Sequence, residues 1–113
     1  MKTISVSHAG VTATVYFLGP NEAIGMHQHN VEHTTTVLMG STRVLVPSSG
    51  VFIMKAGDTR VLLAEFDHDI TAGEHGAVVM NLIAGSYLVS SAEPSTHGGV
   101  AMDDGTVTPH EAA

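Results

Sequence analysis

An all-β domain, closed as a barrel or sandwich with the jelly roll among the candidates, is the fold class this chain predicts. Three observations carry the prediction. Val, Ile, Leu and Thr dominate a chain that is 43% hydrophobic yet has only five aromatic residues, Tyr16, Phe17, Phe52, Phe66 and Tyr87; β-branched residues favour the pleated, half-buried surface of strands. Twelve glycines and four prolines punctuate short apolar runs at close spacing, the pattern of many short strands. No stretch has a convincing helical period, and about nine short strands are expected.

The first element is an alternation from Thr3 to Leu18. Ile4 and Val6, then Val11, Ala13, Val15 and Phe17, recur every second residue on either side of His8-Ala9-Gly10, which reads as two strands with one covered face joined by a turn. Gly19-Pro20-Asn21 breaks the chain. Glu22 to Val37 is rich in Thr and His and leads into Met39-Gly40-Ser41-Thr42, read as a two-residue hairpin turn. Breaks at Pro47-Ser48-Ser49-Gly50 and Lys55-Ala56-Gly57-Asp58 separate strands over 43–46, 51–54 and 59–63. Two further strands are expected around His68–Thr71 and Ala77–Ile83, and a last one at Tyr87–Val89. Residues 1–90 thus form a single domain, and 91–113, poor in periodicity, form a C-terminal tail, loosely ordered or packed on a neighbour.

Size and charge exclude several roles. At 113 residues there is room for one core only, and so modest a core favours association, so a homodimer or larger homo-oligomer is expected. Four Lys and Arg against eleven Asp and Glu give a net charge of −7, which repels nucleic acid and anionic membranes. A small-molecule substrate or ligand is the expected partner instead. Cysteine is absent, which rules out disulfides and thiolate metal sites. The start of the chain has neither the basic residues nor the apolar run of a signal peptide, and no apolar stretch is long enough to span a bilayer, so a soluble cytoplasmic protein is expected.

The chemistry is concentrated in His27-Gln28-His29-Asn30-Val31-Glu32-His33. Imidazole is the commonest side-chain ligand of first-row transition metals, and residues i and i+2 of a strand share a face. His27 and His29 therefore aim at one point, and His33 keeps their parity. A lone histidine is more often solvated or satisfied in a core; three on one parity argue for a metal. His8, His75, His97 and His110 read as surface residues.

The run His27-x-His29, with His33 four positions on and Gly40 seven beyond that, resembles the first motif of the cupin superfamily. Gly57-Asp58, with His68 ten positions after Asp58, resembles its second motif. The resemblance covers about 22–72. It implies a double-stranded β-helix, or jelly-roll barrel, with one divalent transition metal ion (Fe, Ni, Zn, Mn or Cu) on His27, His29, His33 and His68. The sequence departs from the family pattern at several positions. His33 stands where the family usually has glutamate, with Glu32 one place off; Gly25 stands where a proline often precedes the histidine pair; Leu63, Glu65 and Ala72 replace the usual proline, glycine and asparagine of the second motif.

With four neutral imidazoles the ion keeps its full charge, so an anionic substrate is favoured. The set can close a tetrahedral zinc site or take four corners of an octahedron and leave two positions open; the second is preferred for a site at a barrel mouth. Met26, Glu32, Met39 and Arg60 are candidates for lining the pocket or supporting the ligands. Catalytic residues other than the ligands are not identified. Three functions compete: a mononuclear metal-dependent oxygenase acting on a diketone, enolate or thiol; a non-oxidative isomerase, epimerase or lyase using the metal as Lewis acid; and a non-catalytic metal- or ligand-binding module.

Overall fold

The computed structural model describes residues 1–84 and 89–91. Among them eight strands form, β1 (Lys2–His8), β2 (Val11–Leu18), β3 (His27–His29), β4 (His33–Val46), β5 (Gly50–Lys55), β6 (Thr59–Leu62), β7 (Asp69–Ala84) and β8 (Val89–Ser91). A six-stranded antiparallel sheet runs β1-β2-β7-β4-β5, with β6 also pairing to β4, while β3 and β8 form a second, two-stranded layer. The tail beyond Ser91, and the greater part of the strand expected at Tyr87–Val89, lie outside the described residues.

Two long strands make the curvature. β4 and β7 pair along most of their length, but the register shifts between Val37 and Met39 and again between Gly40 and Thr42. Buried positions on β4 accordingly switch from His33, Thr35 and Val37 to Thr42, Val44 and Val46; those on β7 switch from Ile70 and Ala72 to Ala77, Val79, Asn81 and Ile83. An irregularity of this kind bends a sheet while keeping an inward face on each side.

The hairpin expected at Met39-Gly40-Ser41-Thr42 is therefore a bulge inside one strand, and the strands expected at 68–71 and 77–83 are one strand. Gly40 has φ +77°, and a Cβ there would collide with the Gly76 carbonyl oxygen and come within 3.1 Å of the Ala77 Cα. A glycine needed for close strand contact carries the same signature as one needed for a turn. The backbone displaced by the bulge is satisfied by the following turn, since Ala56 N–H donates to the Gly40 carbonyl (3.1 Å) and Gly57 N–H to that of Val37 (2.8 Å).

The alternation of β2 faces the opposite way from the simple expectation. Its buried residues are Thr12, Thr14, Tyr16 and Leu18; Val11 and Phe17 are exposed and Ala13 and Val15 half-exposed. Periodicity gives the period of a strand but does not say which face meets the core. Here the inward face carries hydroxyls. They belong to a polar stripe that includes Thr35 and Asn81, joined by a hydrogen bond of 2.7 Å from Thr35 Oγ1 to Asn81 Oδ1. The apolar core lies around this stripe and includes Tyr16, Ile24, Val37, Val44, Ile70, Val79 and Ile83.

Candidate metal centre

The segment leading into β3 is held against β7 by backbone pairing. Asn21 N–H donates to Gly73 O, Ala72 N–H to Glu22 O and Ile24 N–H to Ile70 O, and His27 and His68 then exchange both backbone hydrogen bonds, at 3.0 and 2.8 Å. One residue past His68 the chain enters β7. The two stretches that carry the histidines are thus neighbouring antiparallel strands, which brings a distant residue to the local pair.

All four rings point inward and are buried, His27, His29 and His68 each 1% exposed and His33 3%. Ring centroids are 5.0 Å apart for His27 and His29, 4.4 Å for His27 and His68, 4.5 Å for His29 and His33, and 5.3 Å for His33 and His68. His27, His29 and His68 each place a ring nitrogen so that the three atoms lie within 4.8 Å of one another. Three donors at about 2.1 Å from one ion sit roughly 3 to 4 Å apart, so this triad can hold a metal. His33 borders the triad but is outside that set of nitrogens.

Two contacts set the proton positions. His27 Nδ1 lies 2.7 Å from the Gly25 carbonyl oxygen, and His68 Nδ1 lies 3.1 Å from that of Phe66. A carbonyl only accepts, so each ring carries its proton on Nδ1 and turns Nε2, the lone-pair nitrogen, toward its neighbours. This is how ligand imidazoles are usually oriented, by a second interaction on the far nitrogen. Gly25 is itself fixed, with φ +109° and its N–H donating to Asp69 Oδ1 at 2.9 Å. A proline at position 25 could adopt neither that φ nor that donation, which explains the departure seen in the sequence. Gly25 and Asp69 were not among the expected site residues; the missing proline was the one signal that pointed to this place.

Electrostatics agree with a ligand set. Burial, reinforced by the neighbouring His27, lowers the His33 pKa to about 4. Burial, then His27 and His33, lowers that of His68 to about 3, against a smaller opposing effect of the Phe66 carbonyl. Both rings are neutral at pH 7, the form that binds metal. His68 Nε2 and both ring nitrogens of His33 are buried with no hydrogen bond. A buried acceptor left so costs about 1–3 kcal/mol, and coordination of a cation removes that cost. The residues present therefore fit a divalent transition metal. Among the described residues no carboxylate stands in the group.

The other expected residues fall differently. Glu32 is exposed, outside the cluster. Met39 is 65% exposed and lines a groove with Phe17, Gly40, His75 and Gly76 at the bulge; the bulge that makes β4 bend carries it outward and away from the ligand end of the strand, so it is not a pocket residue of the histidine site. Met26 is half-buried. Arg60 lines a cleft together with His68. His8 and His75 are on the surface. The rings are more enclosed than a barrel-mouth site suggests.

Comparison with known proteins bears on the fold. No protein-family model and no curated protein sequence matches the chain. Solved structures do. A protein with a double-stranded β-helix domain from Klebsiella pneumoniae superposes with a TM-score of 0.70 at 22% identity, covering 80% of this chain and 82% of that one. A cupin-2 domain protein from Shewanella frigidimarina gives 0.64 at 13% identity, over 74% and 79%. The DMSP lyase DddQ from Ruegeria pomeroyi gives 0.68 at 15% identity over 74% of this chain but only 46% of its own. The chain has the cupin fold, a double-stranded β-helix, with a histidine group inside it that can hold a metal ion.

Proposed function

We propose that this chain is a mononuclear metal-dependent cupin enzyme acting on a small anionic substrate, with one divalent transition metal ion on His27, His29 and His68 and His33 as fourth donor. The observation that carries the reading is the convergence of four buried imidazoles, two with their protons fixed on the outer nitrogen by Gly25 and Phe66. A divalent ion supplies Lewis acidity toward a bound oxyanion or thiolate and, if redox-active, electron transfer to dioxygen. The protein's part is to orient neutral donors, keep their lone pairs inward and exclude water. Because no carboxylate joins the set among the described residues, these donors leave the charge of the ion undiminished, which favours an anion beside it.

Within that reading we favour an oxygenase acting on a diketone, enolate or thiol; imidazole sets suit the redox-active ions iron, nickel and copper as well as zinc. The structural similarity to a DMSP lyase favours a second reading, non-oxidative elimination or isomerisation on the same barrel. Near-complete burial of the rings favours a third, a closed site that binds metal without turnover. Oxygen uptake separates them. Protein reconstituted with iron should consume dioxygen with a diketone or thiol, and zinc protein should not. Turnover by zinc protein without oxygen would favour the second reading, and none with any metal or substrate the third.

A further inference from the structure

Arg60 sits on β6 two residues before the buried Leu62 but is itself exposed, and its guanidinium carbon lies 3.6 Å from the centre of the Phe52 ring. No acidic side chain approaches it among the described residues, in a chain where eleven Asp and Glu face four Lys and Arg. Stacking holds a guanidinium by its face and leaves its N–H edges for a planar anion. The same cleft, about 120 Å³ in volume, is walled by Val46, Phe52, Leu62, Leu63 and Phe66 and reaches His68.

We propose that this cleft is a carboxylate subsite, binding small monocarboxylates with an apolar tail. The carboxylate pairs bidentately with Arg60, and the hydrocarbon packs on Phe52, Leu62 and Phe66 on its way to the His68 edge of the histidine cluster. A single guanidinium edge matches one carboxylate, and the apolar walls match a hydrocarbon tail. The subsite rests on the proposed function for what it delivers to the histidines, but binding itself needs no metal.

The test is an NMR titration of the full chain with butyrate and with its neutral isostere butyramide, in EDTA-treated and zinc-loaded forms. Butyrate should shift the Arg60 side chain and the Leu62 and Phe66 amides in both forms, with butyramide at least about tenfold weaker and Arg60→Gln losing a similar factor for butyrate. Unchanged butyrate binding by Arg60→Gln, or no saturable shift in wild type, would overturn the subsite. Binding seen only with zinc and indifferent to Arg60 would also overturn it while leaving the metal reading intact. Arg60-dependent binding in a protein that takes up no zinc on reconstitution would sustain the subsite and sink the metal reading.

Discussion

His27 and His68, far apart in the chain, are a directly paired couple, exchanging backbone hydrogen bonds of 3.0 and 2.8 Å with ring centroids 4.4 Å apart. The pairing sets the distance between the two halves of the histidine cluster by strand geometry rather than by side-chain flexibility. Whatever holds the Gly25–His29 segment against β7 therefore holds the site.

Asp69 is the first such anchor, through its 2.9 Å bond from Gly25 N–H. Asp69→Ala releases the Gly25 N–H and so loosens the residue whose carbonyl orients His27, and metal affinity is expected to fall roughly 10- to 100-fold, the usual effect of removing an orienting partner. Competition with a chromophoric chelator measures it, with circular dichroism to show that the sheet persists. Unaltered affinity would mean that Asp69 only tethers a loop.

Acid should destabilise the metal-free protein in a defined window. The folded pKa values of His33 and His68, about 4 and about 3, lie below the ordinary value near 6.5. Above that value both states are neutral there and these groups add no pH dependence. As pH falls from about 6.5 toward 4, the unfolded chain takes up protons that the folded one refuses, and stability drops by up to about 2.7 kcal/mol per pH unit for the two together. Urea titrations at stepped pH should show this slope, and His68→Gln should roughly halve it.

Gly40→Ala tests the bulge. With φ +77° and the Gly76 carbonyl in the path of a Cβ, the substitution should cost about 3 kcal/mol or more, read as a lower urea midpoint. Gly10→Ala, where a Cβ meets nothing within 4 Å, should cost only the strain of its backbone conformation, about 1 kcal/mol.

His33 and Glu32 compete for the role of fourth donor. His33 is buried against the triad and Glu32 is exposed, so His33→Ala should weaken metal retention under dialysis and Glu32→Ala should not. The reverse result would place the ligand register one residue away.

The histidine cluster was legible because its spacing is short range: i and i+2 on one strand share a face whatever the rest of the chain does. Its link to His68 was legible only through resemblance, since nothing local says which distant strand pairs with β3. The facing of β2 was not legible. Thr12 and Thr14 are inside because a polar stripe occupies that part of the barrel, and an alternation of Val and Ala looks the same whether it faces a core or solvent. Gly40 and Met39 are ambiguous in sequence for a related reason, because a bulge and a hairpin use the same left-handed glycine and differ only in the strand that continues beyond. Gly25 shows in the sequence only as a missing proline; its purpose depends on Asp69, which no local pattern connects to it.

X-ray absorption at the metal edge, on protein purified without added chelator and assayed for metal content, addresses the centre itself. The account predicts one divalent transition metal ion per chain with three or four imidazole nitrogens at about 2.0–2.1 Å, reduced by one in His68→Ala. Metal well below one per chain after reconstitution, or a first shell of oxygen without imidazole scattering, would contradict it.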